Sequence, residues 1–374
     1  MMAADCPHRP PCPGCPRFGD AAVPPRAREA LRAWSAAHGG PEPAFETARG
    51  LGSRHRARLM VRGRTRVPKV GLFQAGSHRI VDIPRCAVHH PTINRVAAAV
   101  KEAAAGVTSY ADAPHRGSLR AVQVAVASES GRAQIVLVEN AREPGPVAAM
   151  APALAQQLGD ALLGLFWNGN PERTNTILGP HWQHLAGDAL LWERVADGDV
   201  AYPPAAFGQS QPEVADAIAR RVRACVTPGR RIVEFFAGTG ALGLALLGAA
   251  ASVHFVELNP AGAIGLQHAL ARRSAAERTR AEASTRAAED CTDLLAEAEV
   301  VVLDPPRKGV HPAFLSALAV SPVQEVAWVS CGLDAFLAQA TQLLATSSLR
   351  LTGLWAYPLL PFTEHVETVA HFRR

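Results

Sequence analysis

Ile232-Val233-Glu234-Phe235-Phe236-Ala237-Gly238-Thr239-Gly240-Ala241-Leu242-Gly243 is the stretch that decides the fold. Its apolar start predicts a strand over 232–235, and the Ala/Leu-rich residues 241–248 predict a helix directly after the glycines. Gly238 and Gly240 permit a tight turn and let a ligand approach the backbone closely, in the crevice beyond the strand's carboxyl end. Glu257 closes the next apolar run, 19 residues after Gly238, where a carboxylate accepts hydrogen bonds from ribose hydroxyls. The unit predicts a nucleoside-containing cofactor. Taken alone it also satisfies a dinucleotide fingerprint, so an NAD-dependent oxidoreductase and a purely structural turn both stay open at this point.

Working outward, helices and apolar strands alternate from residue 205 onward: 212–225, 231–235, 241–248, 252–257, 300–303 and 326–329. That rhythm builds a doubly wound parallel sheet. Upstream, residues 53–138 hold short strand-like runs at 57–61, 70–73, 79–83, 121–127 and 134–138, with a helix expected between 94 and 105. The division expected is therefore an N-terminal Cys-rich segment and helix over 1–50, a β-rich central domain over 51–200 and an α/β domain over 201–374. A length of 374 residues calls for more than one domain, and 48% hydrophobic residues supply ample core. Lys and Arg exceed Asp and Glu by 38 to 33, a formal +5, which permits a polyanionic partner. Residues 1–16 have Cys, Pro and His where a leader needs an apolar core, and residues 241–256 are too short and interrupted to span a bilayer. A cytoplasmic protein with no membrane role is expected.

Three later elements carry chemistry. Asp304-Pro305-Pro306-Arg307-Lys308-Gly309 follows an apolar strand, and its prolines stiffen a loop that offers carbonyls and a carboxylate to the same crevice. Val329-Ser330-Cys331 ends another strand and places a thiol at that edge. Thr363-Glu364-His365-Val366-Glu367 offers a base near the C-terminus. At the other end, Cys6, Cys12 and Cys15 are spaced so that three thiolates can converge on one metal centre, with Cys86 available as a fourth ligand. Spacing alone leaves zinc and an iron-sulfur cluster equal. Cys225 and Cys291 read as packing residues. Arg54, Arg56, Arg58, Arg62, Arg64 and Arg66 fall on even positions, so an extended chain presents them on one face, suited to RNA phosphates and stacked bases. A turn at Gly63 would split that row.

Together the glycine turn with Glu257, the Asp-Pro-Pro-Arg-Lys-Gly loop, the Ser-Cys strand end and the Thr-x-His-Val-Glu segment resemble the RNA uracil-C5 methyltransferase family, over nearly the whole chain. They look closest to compact bacterial members that modify 23S rRNA and lack an N-terminal RNA-binding TRAM barrel, for which there is no room before Cys6. The resemblance implies a Rossmann-like class I methyltransferase domain that uses S-adenosylmethionine. It makes Cys331 the nucleophile that adds to uracil C6 and Glu367 the base that removes the C5 proton, with His365 and Glu364 as alternatives. It carries over Gln209, Phe236, Glu257 and Asp304 as cofactor contacts beside Gly238 and Gly240. It places a [4Fe-4S] cluster on Cys6, Cys12, Cys15 and Cys86, the last following Ser77-His78 and Ile83 in the family's pattern. Its implied partner is structured RNA, 23S rRNA first and tRNA as the alternative, with no obligate protein partner. Gln211 stands where the family has Asn, Ala241 where relatives carry a polar residue, and Ala338-Gln339 where they have a basic-acidic pair. An exocyclic-amine methyltransferase would use a similar acid-Pro-Pro loop without needing Cys331 or Glu367. A non-catalytic cluster-containing RNA-binding protein would bind RNA and transfer nothing.

Overall fold

The computed structural model describes residues 6–374, so the start of the 1–50 segment lies outside the described residues. The chain divides into two compact units: one takes the chain up to Gly19 with Arg49–Glu193, the other Asp20–Ala48 with Arg194–Arg374.

The first unit is built on a seven-stranded sheet. Arg56–Arg64, Val67–Phe73 and Ile80–Asp82 pair antiparallel on one side of Leu119–Val126 and Ala133–Glu139. Leu162–Gly169 joins in parallel, because the helix Ala151–Leu158 supplies the crossover, and His181–Gly187 closes the far edge. The helices Pro91–Ala103 and Ala151–Leu158 cover one face, where Leu59, Val61, Ile93, Val96 and Val122 are buried. Burial alternates along Arg56–Arg64, as period-two side-chain placement on a one-sided sheet requires.

The second unit contains the α/β sheet. We number its strands β1 (Arg231–Phe235), β2 (Ser252–Val256), β3 (Ala281–Ser284), β4 (Val300–Leu303), β5 (Glu325–Ser330), β6 (Arg350–Tyr357) and β7 (Glu367–Arg373). Their order across the sheet is β3-β2-β1-β4-β5-β7-β6, with Ala44–Phe45 added parallel to β6 at the edge. β1 to β5 are parallel and β7 runs antiparallel between β5 and β6. All four residues of β4 are buried, as befits a central parallel strand covered on both faces. The chain order reverses between β1 and β4, and at such a switch point the loops leaving the two strands part and leave a crevice. Helix starts are well signalled: Pro212 opens Pro212–Cys225 with Glu213 in its first turn, and Asn259 and His311 cap the Pro-initiated helices Pro260–Ala271 and Pro312–Val320.

The helix Pro25–Ala37 belongs to this unit. Its Ala27, Leu31 and Trp34 enter the same core as Phe336 and Leu343, and the Trp34 indole N–H donates to Thr341 Oγ1 at 2.8 Å. Among the described residues no helix is long and apolar enough to cross a membrane.

Candidate active site

The turn after β1 holds three consecutive demands on the backbone. Phe236, Gly238 and Gly240 have φ of 61°, 56° and 81°, and a Cβ on Gly240 would lie 2.6 Å from Leu266 Cδ1. Glu257, at the end of β2, accepts the Gly238 N–H at 2.6 Å and the Asn259 N–H at 2.5 Å, which fixes its carboxylate at the lip of the turn. Beneath the turn lies Glu234, 1% exposed, which accepts the Gly243 N–H at 3.0 Å. Burial, aided by the charges of Asp304 and Glu257, holds its carboxyl well above the usual range. Glu234 was not singled out from the sequence; the available signal was an acid inside a strand whose neighbours are all apolar.

A cavity of about 550 Å³ opens beside this turn, lined by Phe236, Glu257, Leu258, Pro306, Lys308 and Gln339 among others. Its size suits a nucleoside-containing ligand. Phe236 and Glu257 both line this cavity, while Gln209, Gly238, Gly240 and Asp304 stand outside its lining. Gln209 is half-buried in the loop before Pro212–Cys225. Gln211, in place of the family's Asn, is 2% exposed and donates from Nε2 to the Leu359 carbonyl at 3.0 Å.

Cys331 and Glu367 are brought together by strand register. Ser330 pairs with Thr368 at the last position of the antiparallel β5/β7 ladder, so one further step sets Cys331 beside Glu367. Glu367 is 1% exposed, its Oε1 has no hydrogen-bond partner among the described residues, and burial followed by the Asp304 charge holds it well above the usual carboxylate range. The Cys331 thiol is pushed up to about 11, by burial first and then by Glu367 and Asp304. Burial likewise raises Asp304. Arg307 opposes the shift at both Cys331 and Glu367. Three acidic groups therefore share one weakly polarisable site, and Arg307 favours the ionised forms of two of them, Cys331 and Glu367.

Cys331 opens onto a second cavity of about 340 Å³, with Pro24, Arg26, Asp334, Glu364 and His365 in its walls. In the Asp304-to-Gly309 loop, Pro306 and Lys308 line the first cavity, and Arg307 Nη2 lies 3.3 Å from Nδ1 of His365, a wall residue of the second. Two contacts lock that loop to the helix Leu333–Thr346, which follows the thiol. Gln339 accepts the Val310 N–H at 3.0 Å and donates to the Val310 carbonyl at 2.8 Å. The residue that departs from the family's pattern thus has a definite task here. Gly332 packs so closely that a Cβ would overlap the Arg307 carbonyl oxygen. Gly332→Ala should displace the loop and cost about 1–3 kcal/mol of stability, measurable as a lowered urea midpoint together with loss of activity; an unchanged midpoint and rate would show that the loop yields freely.

In the first unit, Cys6, Cys12, Cys15 and Cys86 line one cavity with His8, Arg54 and His89 among others. The Cys15 thiol is pushed up to about 11, by burial first and then by the other three cysteines, with Arg54 opposing. Cys86 is also raised by burial, although the His89 and Val88 backbone N–H groups donate to it. Among the described residues no group of three or more His, Cys, Asp or Glu side chains is drawn together as a single-ion site. Cys291 is fully buried in the core of the second unit, and Cys225 ends the helix Pro212–Cys225.

The arginine row runs unbroken through Arg64, because the turn comes after it: Gly63 has φ of 108° yet stays in the ladder, and Arg64 pairs with Val67 across Thr65 and Arg66. Arg58 donates to Gln123 Oε1 at 2.8 Å. Arg62 is held by both oxygens of Asp112, each at 2.9 Å, and lies over the Tyr110 ring at 4.8 Å, so its charge is already matched. Arg54 lines the cysteine cavity. Arg56, Arg58 and Arg64 make up the remaining outward face of the strand.

The chain is 31% identical over 383 residues to an uncharacterized RNA methyltransferase of Protochlamydia amoebophila, covering 100% of this chain and 98% of that protein. It is 32% identical over 324 residues to an uncharacterized RNA methyltransferase of Geobacter sulfurreducens, covering 85% of this chain and 65% of that one, so it spans about two thirds of the latter. Among solved structures it is similar to the Pyrococcus abyssi tRNA (uracil-54, C5)-methyltransferase in complex with S-adenosyl-L-homocysteine, with TM-score 0.76, 20% identity and coverage of 93% of this chain and 83% of that one. That likeness is one of fold. No protein-family model matches the chain.

Proposed function

Because this chain belongs to the RNA methyltransferase family, we propose that it methylates C5 of a uridine in structured RNA, with Cys331 as nucleophile and Glu367 as base. The observation that carries this reading is the β5/β7 register, which sets the thiol of Cys331, open to one cavity, beside the buried carboxyl of Glu367, while a second, nucleoside-sized cavity is lined by Phe236 and Glu257.

Uracil C5 is too weak a carbon nucleophile to take a methyl group unaided. The Cys331 thiolate adds to C6, and the electron pair of the C5–C6 bond moves toward the C4 carbonyl as an enolate, which makes C5 nucleophilic. S-adenosylmethionine, when bound, supplies the electrophilic methyl group. Phe236, Gly238, Gly240 and Glu257 at the β1 turn, with Gln209 and Asp304, would hold it. Glu367 then takes the C5 proton, the C5–C6 double bond reforms, and the C6–S bond breaks to return the Cys331 thiolate. Arg307 favours the thiolate before addition and the carboxylate before proton removal.

The resemblance to compact family members points to a uridine of 23S rRNA as target, acted on in the cytoplasm. Arg56, Arg58 and Arg64 offer a phosphate-binding face. Cys6, Cys12, Cys15 and Cys86 fit a [4Fe-4S] cluster in donor chemistry: all are thiols, all line one cavity, and Arg54 Nε and His89 Nδ1 are buried there with no partner among the described residues. Such a cluster would tie the N-terminal loop to the strand Ile80–Asp82.

The test is methyl transfer from labelled S-adenosylmethionine to unmodified 23S rRNA and to bulk tRNA, with mass spectrometry of the product nucleoside. Cys331-dependent 5-methyluridine is expected, in 23S rRNA. An N-methylated base would refute the C5 assignment, label in tRNA alone would move the target there, and RNA binding without transfer would favour a binding protein.

A further inference from the structure

Arg54 does not belong functionally with the row of arginines whose spacing it shares. Its backbone is tied to the segment that carries Cys86: the Arg54 N–H donates to the Val88 carbonyl at 3.0 Å, and its carbonyl accepts the His90 N–H at 2.9 Å. These bonds form an isolated parallel bridge between Arg54 and His89. Paired residues in a bridge project to the same side, and both side chains line the cysteine cavity. There Arg54 Nε and His89 Nδ1 are buried with no hydrogen-bond partner among the described residues, and His89 is 4% exposed. A buried donor left unpaired costs about 1–3 kcal/mol, and more when it is charged. The cavity's other basic groups are differently engaged: Arg9 donates to the Pro16 carbonyl at 3.4 Å, and His8 Nε2 accepts the Arg85 N–H at 3.2 Å. Four cysteine sulfurs share the cavity with Arg54, and a sulfur is a strong acceptor only once it is ionised.

We propose that Arg54, aligned by its bridge to His89, is a positioning residue of the four-cysteine site, whose guanidinium donates to the sulfurs of the bound iron-sulfur cluster and compensates its negative charge. The proposal rests on the cluster reading above. A charged donor to cluster sulfur withdraws electron density from it, which raises the reduction potential and slows loss of iron.

The experiment uses the full chain purified without oxygen as wild type, Arg54→Gln, Arg54→Lys and Arg58→Gln. Three quantities are read: iron and sulfide per chain, the rate of bleaching by a chelator, and the midpoint potential. Wild type and Arg58→Gln should hold the cluster alike. Arg54→Gln should bleach about 10- to 100-fold faster at a lower midpoint potential. Arg54→Lys keeps the charge and loses the fork, so it should retain most of the potential and bleach faster than wild type. Should Arg54→Gln fail to fold by circular dichroism, Arg54→Lys decides. Cluster-loaded variants at Arg54 that match wild type in both bleaching and potential would overturn the proposal. Wild type without iron and sulfide would overturn the cluster itself, and this assignment with it.

Discussion

Cys331→Ala should abolish 5-methyluridine formation, lowering turnover by about 10⁴-fold or more, while leaving the fold intact and the cofactor cavity occupied. The size of the effect follows from the chemistry, because without a nucleophile at C6 the C5 carbon has no enolate electrons to give. Specificity follows from the geometry: Cys331 faces the 340 Å³ cavity and takes no part in lining the 550 Å³ one, so binding of S-adenosylhomocysteine by calorimetry should be unchanged. The same thiol sets the pH dependence. With its pKa pushed up to about 11, only about one thiol in a thousand is ionised at pH 8. Raising the pH ionises Cys331, and it also ionises Glu367, whose pKa is raised too, so both groups act in the same direction. The kcat/KM for RNA should therefore climb by about tenfold per pH unit or more across the neutral and mildly alkaline range, each group that must ionise adding about tenfold. Activity retained by Cys331→Ala, or a flat profile in the wild type, would sink the assignment.

What could be foreseen from the sequence is what lies close together in the chain. The β1 turn, Glu257 one strand later and the proline-stiffened loop after β4 are each local patterns, and a parallel sheet gathers strand ends at one edge whatever else varies. The meeting of Cys331 with Glu367 is of another kind. It depends on β7 running antiparallel beside β5 and on a register in which a slip of one residue would turn the carboxyl to the opposite face. Only the resemblance to a family supplied it. The helix Pro25–Ala37 illustrates a second limit, since an apolar stripe on Ala27, Leu31 and Trp34 announces a buried face without saying which core receives it. Arg54 and Arg62 show a third. Even spacing put them in one row with Arg56, Arg58 and Arg64, but a bridge to His89 turns one to the cysteines, and Asp112, 50 residues away, neutralises the other.

Glu367→Gln should leave the enzyme able to begin the reaction and unable to finish it. Addition of Cys331 to C6 and methylation of C5 need no proton removed from C5, whereas expulsion of the thiolate does. The amide has nearly the shape of the carboxyl and no basicity at neutral pH, so the methylated adduct should accumulate and its release should slow by about 10²- to 10⁴-fold. The site's electrostatics place the base at this step. Thiolate and carboxylate repel each other while both are ionised, as the mutual pressure of Glu367 and Asp304 on Cys331 shows. Once the sulfur has become a neutral thioether, one negative charge beside Glu367 is gone, and its carboxylate forms more readily when a base is required. The check is a denaturing gel of labelled RNA after a single turnover, with methyl incorporation counted per enzyme. One methyl per chain, travelling with protein that heat and denaturant do not separate from RNA, is the expected result. Full multiple turnover by Glu367→Gln would move the base to Glu364 or His365. No adduct and no methyl transfer would mean that Glu367 acts before C5 is methylated, by helping to ionise Cys331, and the order of proton steps given above would have to be reversed.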